Sequence, residues 1–179
     1  VSLGIMNVHP NYFGRGVGRA LVDYIIEYTE RGGFPALRLI QSALNLDSFS
    51  LYSRAGFVPR CAYQDMVIQV PRDGMKARAP GVECVRDAAP GDVEGMATLE
   101  YEVSGITRRQ DYCYAIENRL GIWHAAVYES PQGRLDGFLI SSGHAAINIL
   151  GPGVARSERE AAALILRELD RHRGRTPVT

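Results

Sequence analysis

Three glycines at alternate positions, Gly14, Gly16 and Gly18, with Arg15 and Arg19 among them, are the residues best suited to chemistry in this chain. A glycine loop that opens a helix leaves the first backbone N–H groups of that helix without intrahelical acceptors, and no Cβ bars a ligand's approach. The helix N-terminus contributes partial positive charge and the two arginines full charges, so the guest expected is an anion, phosphate above all. This is not a Walker loop, since no Gly-Lys-Ser/Thr follows. Nor does it carry the acidic ribose-binding residue that a dinucleotide fold places about 20 positions on.

The flanking pattern says what positions the loop. Residues 2–8 are short, apolar-rich and stopped by Pro10, which predicts a strand. Val17, Ala20, Leu21, Tyr24, Ile25 and Tyr28 recur at helical spacing and predict a helix over 16–31. Gly32-Gly33 and Pro35 end it. Residues 36–41 alternate as a strand. A second polar group then follows: Asn45 to Asp47 start a short helix, with Asp47 or Ser48 expected to accept from its free N–H groups. Gly56 is expected as its left-handed terminator, and Phe57-Val58 as the start of a strand pairing with about 62–70.

In this order and separation the two stretches resemble the acetyl-CoA-binding motifs of the GCN5-related N-acetyltransferases. That family has a loop of the form Q/R-x-x-G-x-G/A after its fourth strand, and later a segment N-x-x-A/S-x-x-L/F-Y-x-x-x-G-F. Here the loop is Phe13-Gly14-Arg15-Gly16-Val17-Gly18, with both glycines in place and Phe13 at the polar position. The second segment matches at Asn45, Ser48, Leu51, Tyr52, Gly56 and Phe57. The resemblance implies a mixed-sheet α/β fold of the acyl-CoA N-acyltransferase type and transfer of an acetyl group from acetyl-CoA to an amine of a small molecule or peptide. It implies that Phe13, Gly14, Arg15, Gly16, Val17, Gly18 and Arg19 line the diphosphate, and that backbone near Val8 polarises the thioester carbonyl. Asn45 would orient the co-substrate or an ordered water, and Tyr52 would be the general acid toward the departing thiolate. A phenol, with an ordinary pKa near 10, still carries its proton at neutral pH. Attack by the neutral amine needs no covalent enzyme intermediate. No residue stands out as the general base.

Composition narrows the alternatives. The 179 residues carry 20 basic and 20 acidic side chains, so no global field argues for nucleic acid or an anionic membrane. No apolar run reaches the length of a bilayer span and no signal peptide opens the chain, which makes a cytoplasmic protein the expectation. Cys61, Cys84 and Cys113 have no metal-like spacing and are expected as buried or half-buried free thiols. His9, His124, His144 and His172 are scattered, so neither a metal site nor a Ser/His/Asp hydrolase is expected.

Residues 72–81, rich in breakers and charge, predict a linker between a domain over 1–71 and another over 82–179. The second begins with a strand at 82–85. A helix capped by Asp92 follows, with Val93, Met96, Leu99 and Val103 facing a core, then a helix over 111–120. Strands at 122–128 and 135–141 flank the turn Ser130-Pro131-Gln132-Gly133. A strand at 145–150 and a helix over 158–173 complete the order. A shift of 142 residues superposes Pro10 on Pro152, Ala20 on Ala162, Arg31 on Arg173, Gly32 on Gly174 and Pro35 on Pro177. The chain therefore reads as the back part of one acetyltransferase-like copy followed by the front part of a second, degenerate one. In the second, Glu158 and Glu160 replace Gly16 and Gly18 and cap a structural helix instead of binding phosphate. The fifth strand of that copy is expected to lie beyond Thr179. A rival arrangement joins both parts into one permuted sheet, within a chain or by exchange in a homodimer. Two other functions stay open: a CoA-binding or regulatory module without turnover, and a small-ligand sensor.

Overall fold

The computed structural model describes residues 1–144 and 146–179. They form two compact units, 1–63 and 64–179.

In the first unit, helix α1 (Val17–Arg31) buries Val22 and Thr29 and half-buries Ile25 and Ile26. The Thr29 hydroxyl donates to the Ile25 carbonyl at 2.7 Å, which satisfies a polar group on the apolar face. Helix α2 (Leu46–Arg54) follows. The expected strands 2–8 and 36–41 reduce to one parallel bridge between Ser2 and Arg38. Its bonds run from Leu3 N–H to the Arg38 carbonyl (2.8 Å) and from Arg38 N–H to the Val1 carbonyl (3.0 Å). Parallel strands gain their stability from cover on both faces, and Ile5 and Ile40 are 94% and 86% exposed here, so the ladder does not extend.

The second unit is a four-stranded antiparallel sheet in the order β1 (Val85–Asp87), β2 (Trp123–Glu129), β3 (Leu135–His144) and β4 (Ile147–Ala155). The hairpin expected around 130–133 forms as read, with Val127 opposite Phe138. Helices α3 (Val93–Ser104) and α4 (Arg109–Glu117) cover one face, and α5 (Glu158–Leu169) covers the other. Strand alternation assigns the side chains: Val127, Phe138 and Ile140 pack with Met96, Leu99 and Tyr112, while Ala126, Tyr128 and Leu139 pack with Ala163, Leu164 and Leu169. A Cβ on Gly137 would sit 2.8 Å from Leu164 Cδ1, so this glycine sets how near α5 lies to the sheet. Arg86 on β1 holds the Asp92 carboxylate at 2.8 Å and Glu129 at 2.6 Å, which fixes the entry to α3. That guanidinium, with the Ala89 N–H, lowers the Asp92 pKa.

Several expectations change. Residues 82–84 form a 3-10 turn before β1, and Val103 is 55% exposed. Helix α4 stops at Glu117 because Asn118 adopts φ 45°, and α5 stops at Leu169 before a 3-10 turn, Asp170–His172. Strand β4 runs on to Ala155; Ala145, where the predicted strand 145–150 begins, lies outside the described residues. Cys61 and Cys113 are exposed and Cys84 half-buried, all as free thiols.

The hairpin predicted between 57–58 and 62–70 does not form among the described residues. Residues 66–70 instead lie antiparallel to 174–179, with Ile68 N–H donating to the Pro177 carbonyl (3.2 Å) and Val70 N–H to the Arg175 carbonyl (3.0 Å). Residues 175–179 in turn run parallel to β4 through Leu150 N–H to the Val178 carbonyl (2.7 Å) and Val178 N–H to the Asn148 carbonyl (2.9 Å). The fifth-strand position expected beyond Thr179 is thus occupied within the chain. The cause is burial: Val70 is 1% exposed in the α5-side core, where Met75 also packs. The stretch 72–81 is irregular as read but lies on the second unit, with Gly74 buried where a Cβ would meet Asp170 Oδ1 at 2.8 Å.

His172 closes the turn into this segment. It is 1% exposed; Nδ1 meets Asn148 Oδ1 at 2.6 Å, and Nε2 has no partner among the described residues. Burial, with the nearby charges of Arg175 and His124, holds its pKa below the ordinary value. The unfolded chain therefore takes up this proton first as pH falls. Its stabilising contribution is complete above about pH 6.5 and is lost from there down toward the depressed folded value. The urea midpoint of the second unit is expected to fall between about pH 7.5 and 5, and to fall less steeply in His172→Gln. Equal slopes in both proteins would show that His172 is not responsible.

Candidate functional site

The loop ahead of α1 is built from residues that cannot continue a strand. Pro10–Tyr12 is a 3-10 turn capped by His9, whose Nδ1 accepts from Asn11 N–H at 3.2 Å. Gly14 and Gly16 follow at φ 73° and 81°, left-handed conformations that glycine alone adopts without cost, and a Cβ on either would face open space. Gly16 caps α1 with no side-chain hydrogen bond, and the first turn carries no acid. Within the helix the first N–H to find an acceptor is that of Ala20, on the Gly16 carbonyl at 2.9 Å. The N–H groups of Val17, Gly18 and Arg19 are left without intrahelical partners at a positive helix end.

Val8 and Leu51 of α2 both approach Gly18. Its missing Cβ would lie 3.4 Å from Leu51 Cδ2 of α2 and 3.9 Å from Val8 Cγ2. So Val8, the start of α1 and the turn of α2 that bears Tyr52 meet at one point. Arg19 reaches across as well: its Nη1 donates to the Arg54 carbonyl at 3.5 Å, while its Nε is held by both oxygens of Asp23 at 2.8 and 2.9 Å. Arg15 instead lies over the Tyr12 ring, 5.4 Å from its centroid. One of the two loop arginines is therefore ion-paired and the other is parked on an aromatic face.

Asn45, not Asp47 or Ser48, caps α2: its Oδ1 accepts from Ser48 N–H at 3.1 Å. That leaves its amide NH₂ as the group able to donate to a ligand. An open depression of about 580 Å³ lies at this helix end, lined by Ser42, Leu44, Asn45, Leu46 and Asp47. Tyr52 is half-buried with its ring edge-on to Phe57 at 5.8 Å, and its hydroxyl has no hydrogen bond among the described residues. Gly56 turns left-handed at φ 94° and ends the helix as read. The Phe13 N–H already donates to the Pro10 carbonyl at 3.0 Å, and its ring is 67% exposed.

What pattern reading missed here is the approach of Leu51 to Gly18; Leu51 is a motif match in the sequence, but nothing in the spacing says that it faces the loop. The α5 N-terminus, by contrast, is closed. Ser157 accepts from Arg159 N–H at 3.3 Å and donates to Glu160, and Glu158 and Glu160 occupy the first turn. Among the described residues no group of three His, Cys, Asp or Glu side chains could hold a metal ion, and no helix is long and apolar enough to cross a membrane.

Residues 2–57 match the family model described as Acetyltransferase (GNAT) family. No curated protein matches the chain by sequence. Among solved structures, a GCN5-related N-acetyltransferase from Kribbella flavida is similar over 99% of this chain and 44% of its own, at 20% identity and a TM-score of 0.59. A putative acetyltransferase from Pyrococcus horikoshii is similar over 99% and 54%, at 17% identity and 0.65. A tandem GNAT protein from the clavulanic acid biosynthesis pathway is similar over 99% and 65%, at 18% identity and 0.52. The chain thus spans about half the length of the first two of these structures. Residues 2–57, which hold the glycine loop and the Asn45–Phe57 segment, match the acetyltransferase (GNAT) family model, and the chain shares the fold of these acetyltransferase structures.

Proposed function

We propose that the protein is an N-acyltransferase that uses an acyl-CoA, acetyl-CoA first of all, to acylate a primary amine of a small molecule or peptide. The observation that carries this reading is the uncapped start of α1 behind Gly14 and Gly16, inside the stretch that matches the family. Its free N–H groups would take the diphosphate, with the Arg15 guanidinium, held over the Tyr12 ring, adding positive charge beside them. Backbone near Val8 would polarise the thioester carbonyl, and the effect grows as that oxygen gains charge in the transition state. The Asn45 amide would donate to the co-substrate. The Tyr52 hydroxyl, without a hydrogen bond among the described residues, would protonate the departing thiolate.

The chain is further read as parts of two tandem copies, and a cytoplasmic location is expected. A repeated crossover supports the tandem reading. Ser2 and Arg38 flank α1 with the same pair of parallel bonds that Ile149 and Val178 form around α5.

A thiol-release assay with acetyl-CoA across a panel of amines tests the activity. Tyr52→Phe is expected to lower turnover about 100-fold, within the range for a lost general acid, with CoA affinity unchanged. Turnover unchanged in this variant would remove Tyr52 as the acid. CoA binding by the natural protein with no thiol release toward any amine would select a second reading, a CoA-binding module, which the departure at Phe13 favours.

A further inference from the structure

Phe13 stands where the family pattern has a polar residue, and its surroundings leave one group to offer. Its N–H is committed to the Pro10 carbonyl at 3.0 Å, so it cannot join the donors at the start of α1. Its ring is 67% exposed and does not pack beneath the loop. The next ring, Tyr12, is already engaged: His9 meets it edge-on at 6.1 Å and Arg15 lies over it. Phe13 makes no ring or cation contact of its own among the described residues, and it sits one residue before the first left-handed glycine. An apolar ring left bare beside open N–H donors suits a ligand with a diphosphate and a flat, uncharged π-face a few bonds apart.

We propose that Phe13 is a specificity residue whose ring stacks on the nucleobase of the co-substrate, so that the loop reads an adenine as well as a diphosphate. This rests on the reading that the start of α1 takes the diphosphate. Base–aromatic stacking tolerates many geometries and needs only an accessible ring, which Phe13 provides.

The test is an NMR titration of the whole chain with CoA, with ADP and with inorganic diphosphate, following the amides of Gly14, Gly16 and Gly18. ADP keeps the base and the diphosphate; inorganic diphosphate lacks the base. In Phe13→Ala the affinities for CoA and ADP are expected to drop about tenfold, with that for inorganic diphosphate unchanged, and Phe13→Trp to restore both. An equal loss for all three ligands would assign Phe13 to shaping the loop and overturn the stacking role. So would no loss for any. If the glycine amides of the natural protein respond to none of the three, the diphosphate reading itself fails and takes this inference with it.

Discussion

Arg108→Ala is expected to destabilise the second unit by about 3–5 kcal/mol, the cost of stranding one member of a buried ion pair. Glu100 on α3 is 1% exposed, and its carboxylate is held from two sides. Arg108 Nε donates to Oε1 at 2.9 Å and its Nη2 meets the same oxygen, while the Tyr112 hydroxyl donates to Oε2. Burial, and then the bond to Glu100, push the Tyr112 pKa well up, so the phenol keeps the proton that it donates. Without Arg108 a charged carboxylate keeps one neutral donor in the layer that joins α3 to α4. Tyr112→Phe removes only a neutral donor and is expected to cost less, about 1–3 kcal/mol. Glu100→Met removes the charge itself, and Arg108, whose side chain is 32% exposed, can then turn to water. That variant is expected to be the mildest of the three. Urea denaturation of the set gives the order, and a cost below about 1 kcal/mol for Arg108→Ala would mean that Glu100 does not need its cation.

Gly16→Glu is expected to abolish binding of acetyl-CoA while the protein stays folded. Gly16 has φ 81°, so any side chain there costs about 1–2 kcal/mol, and Gly16→Ala reports that share alone. The carboxylate adds repulsion toward a diphosphate: at about 4 Å and an effective dielectric near 20, two like charges oppose each other by roughly 4 kcal/mol, about three decades in affinity. The same carboxylate is favourable to the helix, because an acid near a helix N-terminus stabilises it by about 0.3–1 kcal/mol. Binding and folding thus move apart in this variant. Calorimetry with acetyl-CoA on the natural protein, Gly16→Ala and Gly16→Glu reads the difference. Unchanged affinity in Gly16→Glu would remove the loop as the diphosphate site, and with it the proposed activity. The α5 helix already shows how acids settle at such a position, with Glu158 and Glu160 in its first turn beside the Ser157 cap.

Local chemistry was legible in the order of residues. Periodicity located α1, α3 and α5, and Ser130 to Gly133 located the hairpin, because spacing and turn residues act within a few positions. The glycine loop, Asn45 and Tyr52 carried the family likeness for the same reason: a motif is a local constraint on backbone and donors. Cap identity was less legible. Asn45, Asp47 and Ser48 can all accept from a helix N-terminus, and only the backbone path chose Asn45.

Long-range pairing was not legible at all. Residues 62–70 are apolar enough toward their end to read as a strand, and composition does not say which partner a strand takes. Burial of Val70 against the α5-side core sends 66–70 to 174–179. The meeting of Val8, Gly18 and Leu51 likewise required three distant segments to be folded before it existed. The amino-acid order by itself thus determined which residue types stand at the glycine loop and along 45–57. Tertiary structure decided which of them meet, which donors are already spent, as in Phe13, and which strand completes which sheet. Backbone preference acts over a few residues, whereas apolar burial depends on everything the chain brings together.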